Sequence, residues 1–222
     1  MKRLGPLYGI GGSELIKEDF LYKIERAIIG GLNVFQLREK NKNKEEIVEI
    51  AKKVKKICDA YECVFIINDD PYIAKEVNAD GVHLGKEDID IEEAREILGP
   101  EKIIGISCYD NLFRGIEAEK KGANYVSFSS PFRSPTKPFK SLTKWEIIEE
   151  AVKILKIPVY VIGGINDETI EEVLKRKIFR ICSISYIFKF SDPFFPVFSL
   201  KEKILKSLLS YKNSFLEFQS FI

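Results

Sequence analysis

Short apolar runs alternate with longer stretches of helical periodicity along the whole chain. The runs at residues 7–10, around Val34, and at 64–67, 81–84, 103–106, 125–128, 159–162 and 181–184 have the length and composition of buried strands. Between them lie amphipathic segments. Residues 19–29 put Leu21, Ile24 and Ile28 on one face and stop at Gly30-Gly31, a helix C-terminal signal. Residues 44–61 place Ile47, Ile50, Ala51, Val54, Ile57 and Cys58 together, with lysines and glutamates opposite. Shorter helices are predicted around 73–76 and over 91–98, 112–121, up to 155, and 168–175. Asp90 with Glu93, and Thr143 with Glu146, read as capping boxes. Eight strands interleaved with helices predict an α/β fold, a (β/α)₈ TIM barrel. A doubly wound open sheet usually has about six strands, and no G-x-G-x-x-G follows the first strand.

Composition narrows this picture further. The 222 residues are 45% hydrophobic, enough for one large core, so residues 1–222 are expected to form a single domain, with the barrel over 1–198 and a closing helix and tail over 199–222. A formal net charge of +1 gives no reason to expect a nucleic-acid or membrane-surface partner. The apolar runs are too short to cross a bilayer, and the first six residues lead into a strand without a signal-type apolar segment. Cys58, Cys63, Cys108 and Cys182 form no CxxC pair and have no histidine at metal spacing, which suits small core residues in a reducing cytoplasm. Scarce glutamine beside abundant Lys, Glu and Ile fits a hot-growing source. The apolar tail residues Phe215, Leu216, Phe218, Phe221 and Ile222 either pack outside the barrel or serve a homodimer contact.

In such a barrel the loops after the strands share the C-terminal face, where active sites sit. Gln36, Arg38 and Lys40 alternate, so on extended backbone they share one face. Later loops add Asn68 and Asp69, then His83, Lys86 and Asp88, then Ser107, then Ser134, Thr136 and Lys137, then Gly163-Gly164 and finally Ser185. Arg38, Lys40 and Lys137 suit a polyanion. Asp69 and Asp88, after adjacent strands, suit Mg²⁺, which takes a couple of carboxylates plus substrate phosphates. Gly163-Gly164 and Ser185 occupy the barrel's usual phosphate position. Singly, these features read blandly: Asn68-Asp69-Asp70-Pro71 as a turn with a helix cap, His83 as a structural hydrogen-bonding group, Ser130-Pro131 and Ser134-Pro135 as loop punctuation. Together they predict a magnesium-assisted enzyme that holds a pyrophosphate and a monophosphate in one mouth, with the pyrophosphate as leaving group.

Five segments carry a resemblance: Gln36-Leu37-Arg38-Glu39-Lys40, Ile67-Asn68-Asp69, Ala79 through Gly85, Thr136-Lys137 and Ile162-Gly163-Gly164-Ile165. In order and spacing the chain resembles thiamine-phosphate synthases over residues 7–188. The resemblance implies joining of hydroxymethylpyrimidine pyrophosphate to hydroxyethylthiazole phosphate by a dissociative substitution. It implies pyrimidine pyrophosphate binding by Gln36, Leu37, Arg38, Glu39, Lys40, Asn68, Ser107 and Lys137, with Arg38, Lys40, Ser107 and Lys137 catalytic. It implies Mg²⁺ on Asp69 and Asp88, and thiazole phosphate on Ser134, Pro135, Thr136, Gly163, Gly164, Ile184 and Ser185. Departures from the family pattern are Gly11-Gly12, Asp70, Lys86, residues 129–133 and Arg180. Two other readings stand beside it. One is a related thiazole tautomerase, whose pattern has a histidine near Ser130 and tends to lack the paired acids. The other is a barrel that binds thiamine precursors without turnover.

Overall fold

The computed structural model describes residues 2–129, 131–133 and 142–220, with side chains as far as residue 211. Among these, eight parallel strands close into a barrel in chain order, β1 pairing with both β2 and β8. The chain begins β1 (Leu7–Gly11), α1 (Ser13–Ile16), α2 (Phe20–Ile29), β2 (Val34–Leu37), α3 (Lys44–Ala60), β3 (Val64–Asn68) and α4 (Pro71–Glu76). It continues β4 (Gly81–Leu84), α5 (Ile91–Leu98), β5 (Ile103–Tyr109), α6 (Leu112–Lys120), β6 (Tyr125–Ser129) and α7 (Trp145–Ile154). It ends β7 (Val159–Ile162), α8 (Ile170–Lys175), β8 (Ile181–Ser183), α9 (Ser185–Phe188) and α10 (Phe194–Ser220).

The strands read as continuous apolar runs because both of their faces are covered. Successive side chains alternate. Leu7, Phe35, Leu37, Phe65, Ile67 and Val82 point outward into the layer shared with the helices. Tyr8, Val34, Val64, Ile66, Tyr125 and Tyr160 point inward and fill the barrel. The four cysteines are buried and free. No helix among the described residues is long and apolar enough to cross a membrane.

Local chemistry explains several helix starts. Asn43 makes a full capping box for α3, its side chain accepting from Glu46 N at 2.9 Å while the Glu46 carboxylate accepts from Asn43 N at 3.1 Å. Asp90 caps α5 by accepting from the backbone of Glu92 and Glu93.

Four local expectations change. Thr143 does not cap α7, which starts after Lys144; the buried Thr143 hydroxyl needs an acceptor and donates to Ser129 O at the end of β6. A short helix, α1, intervenes after β1. The closing helix starts at Phe194 rather than 199, because Asp192 accepts from Phe194 N at 3.0 Å and is gripped twice by Arg26, at 3.0 and 2.8 Å. β5 runs on past Ile106 through a bulge between Ser107 and Tyr109, a device that re-aims side chains beside functional sites. The tail side chains Phe215, Leu216, Phe218, Phe221 and Ile222 lie outside the described residues.

Candidate active site

A cavity of about 640 Å³ opens among the strand ends. Gln36, Arg38, Asn68 and Ser107 line one half of it, and Gly163, Gly164, Ile184 and Ser185 line the other. Expected residues from five strand ends therefore do converge on one mouth. Leu37 faces outward into the helix layer, so only its backbone is available to a ligand. Glu39 accepts from Ser13 N at 2.6 Å and Ser13 Oγ at 3.1 Å, fastening α1 to the loop after β2. Lys40 is exposed and does not line the cavity, but it is close enough to Asp69 for its charge to act there. Ser134, Pro135, Thr136 and Lys137 lie outside the described residues.

Asp69 follows the cavity-lining Asn68, and Asp88 lines a smaller neighbouring pocket with Gly85, Lys86 and Arg114; the two carboxyl groups lie within hydrogen-bonding reach of each other. Asp69 is held in a left-handed conformation (φ 68°), its N–H donating to His83 O at 2.8 Å. Such backbone strain in a non-glycine residue persists only where the surroundings impose it. Asp88 Oδ2 accepts from Gly85 N at 2.6 Å, which aims the carboxylate back toward Asp69. Burial first, then the hydrogen bond and charge of Asp88, push the Asp69 carboxyl up to about 6, while Lys40 and Arg38 pull it down. Two acids in this relation repel when both are ionised, and a divalent cation relieves that repulsion. Among the described residues no group of three or more His, Cys, Asp or Glu could hold a metal alone. The donor set is thus too small for a closed protein cage. It fits Mg²⁺, which keeps waters and takes substrate phosphates.

On the opposite side, Gly163 (φ 117°) and Gly164 (φ 66°) need the left-handed region. Gly164 is also crowded, since a Cβ there would lie 2.5 Å from Arg133 O. Thr169 Oγ1 donates to Gly164 O at 2.9 Å, and Ser183 Oγ donates to Ile165 O at 3.2 Å, which hold this turn in place.

Two sets of residues escaped the reading by motif. Arg114 on α6 donates to Ser107 O at 2.8 Å and to Gly85 O at 2.7 Å, clamping the ends of β5 and β4 that carry Ser107 and Asp88. Nothing in its sequence context marks it. His83 is buried, with Nδ1 2.9 Å from Tyr125 OH and Nε2 2.9 Å from Ser107 Oγ. Burial drives its ring down to about 4, against a weaker upward pull from Asp88. Both ring nitrogens are engaged, so His83 has the hydrogen-bonding place expected of it. The tyrosines that partner it carried one available signal: a phenol in a buried strand must find a partner for its hydroxyl.

The thiamine monophosphate synthase family profile matches residues 7–187. The chain belongs to the thiamine monophosphate synthase family. A thiamine-phosphate synthase of Thermoplasma acidophilum is 38% identical over 206 residues, covering 90% of this chain and 96% of that protein. One of Persephonella marina is 41% identical over 184 residues, covering 82% and 88%. A solved thiamine phosphate pyrophosphorylase from Pyrococcus furiosus superposes with a TM-score of 0.81 at 35% identity, covering 91% of this chain and 96% of that one. A 3-hexulose-6-phosphate synthase at 15% identity and a TM-score of 0.64 shares the barrel alone. As a member of the thiamine monophosphate synthase family the chain is an enzyme, a transferase of thiamine biosynthesis, on a TIM barrel.

Proposed function

We propose that this enzyme joins hydroxymethylpyrimidine pyrophosphate to hydroxyethylthiazole phosphate, forming thiamine phosphate and releasing pyrophosphate. The observation that carries the reading is the Asp69–Asp88 pair under the charges of Lys40 and Arg38, next to a cavity that Arg38 and Asn68 line together with the Gly163-Gly164 turn. That arrangement separates a strongly anionic, metal-competent half from a half suited to a single phosphate.

Asp69 and Asp88 would hold Mg²⁺. When bound, the ion would neutralise charge on the departing pyrophosphate. Arg38 and Lys40, with Lys137, hold the diphosphate oxygens, Arg38 bidentately. Gln36 and Asn68 supply neutral contacts that orient the pyrimidine end, and Ser107 offers its hydroxyl to the diphosphate. Gly163, Gly164, Ile184 and Ser185, with Ser134, Pro135 and Thr136, hold the thiazole phosphate. The carbon–oxygen bond to pyrophosphate breaks with both electrons leaving on oxygen. The resulting pyrimidinylmethyl cation is captured by the lone pair of the thiazole nitrogen. Stabilisation of the leaving group and alignment of the two substrates are what such a step requires.

The lone histidine supports this over a tautomerase reading: with both ring nitrogens occupied it is a poor candidate base for abstracting a carbon-bound proton. Pyrophosphate release from purified protein given both precursors and Mg²⁺ tests the proposal, with Asp69→Ala as control. Release that needs both precursors and collapses in the control is expected. Absence of release would sink it, and binding of the precursors without turnover would favour a carrier.

A further inference from the structure

A line of polar groups crosses the barrel interior at the floor of the cavity. Gln36 Nε2 donates to Tyr8 OH at 2.7 Å. Tyr8 OH and Tyr125 OH are 2.8 Å apart. Tyr125 OH is 2.9 Å from His83 Nδ1, and His83 Nε2 is 2.9 Å from Ser107 Oγ. Gln36, Tyr8, Tyr125 and His83 are all buried and Ser107 is half-buried; of the five, all but Tyr125 line the cavity. The two ends of the line, Gln36 and Ser107, are both cavity-lining residues.

The direction of the line follows from its first member. An amide nitrogen can only donate, so the Tyr8 oxygen accepts and its own proton goes to Tyr125. Tyr125 then gives its proton to Nδ1. A neutral ring with Nδ1 accepting carries its hydrogen on Nε2 and donates it to Ser107 Oγ at 2.9 Å, the nearer of two hydroxyls, Ser127 Oγ lying at 3.5 Å. The Ser107 hydroxyl hydrogen is left over, and among the described residues no group accepts it. We propose that this line is a positioning device: Tyr8, Tyr125 and His83 hold Ser107 as a hydrogen-bond donor of fixed direction, aimed at the diphosphate. The role of the Ser107 end rests on the proposed function above.

Packing alone does not ask for these hydroxyls. Tyr8, Tyr125 and Tyr160 form an aromatic trio with ring centroids 5.3 to 5.9 Å apart, which phenylalanines would fill equally well. A buried hydroxyl is costly unless satisfied, so two in series imply a use for the series. The third tyrosine shows the contrast. Tyr160 OH turns away and donates to Gly5 O at 2.5 Å. Donors that need no reorientation as charge develops act mainly on the transition state.

His83 is the only histidine of the chain, so ¹⁵N-histidine labelling reads its tautomer without assignment. Wild type is expected to carry hydrogen on Nε2. Tyr125→Phe is expected to lose that preference and to lower kcat by about 10- to 100-fold with KM little changed, short of the loss from deleting an oxyanion donor outright. Tyr160→Phe, which removes a buried hydroxyl outside the line, is expected to keep the tautomer. Hydrogen on Nδ1 in wild type would overturn the proposal, as would Tyr125→Phe retaining both tautomer and kcat. A second readout needs no turnover: inorganic pyrophosphate with Mg²⁺ should shift the Nε2–H resonance in wild type and leave it in place in Ser107→Ala. Equal shifts in both, or a shift in neither, overturn the aim assigned to Ser107. Absence of pyrophosphate release from the precursors would instead count against the proposed reaction, with this shift still deciding the line.

Discussion

Gly105 and Tyr125 share one space in the barrel: a Cβ on Gly105 would fall on the Tyr125 ring. The missing side chain on β5 is what lets a tyrosine from β6 lie across the interior and reach His83 on β4, with His83 and Gly105 paired in register. Gly105→Ala is therefore expected to cost about 1–3 kcal/mol through overpacking and to displace the Tyr125 hydroxyl. Urea unfolding of Gly105→Ala, Tyr125→Phe and the double variant checks this. The two effects should be clearly non-additive, since both act on one ring. Additive costs would show that the glycine serves something else.

Arg114 donates to Ser107 O and Gly85 O, so it ties one proposed ligand contact to the loop of one proposed metal ligand. Arg114→Lys keeps the charge but offers a single point donor, and the fork is lost. A fall in kcat/KM of about 10-fold is expected, or about 1.4 kcal/mol, together with a weaker apparent Mg²⁺ affinity. Kinetics at several Mg²⁺ concentrations measure both. An unchanged Mg²⁺ dependence would reduce Arg114 to a fold brace.

The raised Asp69 carboxyl binds a proton in the folded protein between its ordinary 3.8 and about 6, where the unfolded chain has already released it. Stability from this group is thus present below pH 3.8 and lost as pH rises through about 6. Asp69→Asn is expected to raise the Tm of metal-free protein at pH 7 to 8 while removing Mg²⁺-dependent turnover. Added Mg²⁺ should raise the Tm of wild type but not of the variant. A lower Tm for Asp69→Asn in metal-free buffer contradicts the account.

His83 has the opposite sign. Its folded value of about 4 lies below the ordinary 6.5, so the unfolded chain binds the extra proton in that window. Stability is complete above pH 6.5 and falls as pH drops towards 4, by up to about 3 kcal/mol. In wild type the Asp69 slope partly hides this between pH 4 and 6. Asp69→Asn should expose it as a steeper loss of stability on acidification, read from urea midpoints at successive pH values. Parallel curves for the two proteins would refute the opposition.

Gly164→Ala meets both an unfavourable φ of 66° and Arg133 O at 2.5 Å. A rise in KM for the thiazole phosphate of about 10-fold or more is expected, with little change in pyrimidine pyrophosphate binding by calorimetry. Equal losses on both sides would mean that the two halves of the cavity are not separate.

The order of strands and helices was legible in the chain, because parallel strands covered on both faces must be short apolar runs and their helices must be amphipathic. So was the pole of the molecule where Gln36, Arg38, Asn68, Ser107, Gly163-Gly164 and Ser185 meet, since each lies in the C-terminal half of a strand or within two residues after it, and barrel closure brings those ends together. Tertiary structure alone decided which side chains touch. Thr143 turned from cap to strand-end tether, Arg114 became a clamp between β4 and β5, and Tyr8 and Tyr125 joined Gln36 to Ser107 through His83. These contacts join residues from 7 to 117 positions apart. They depend on strand register and on the space left by Gly105, neither of which local periodicity encodes.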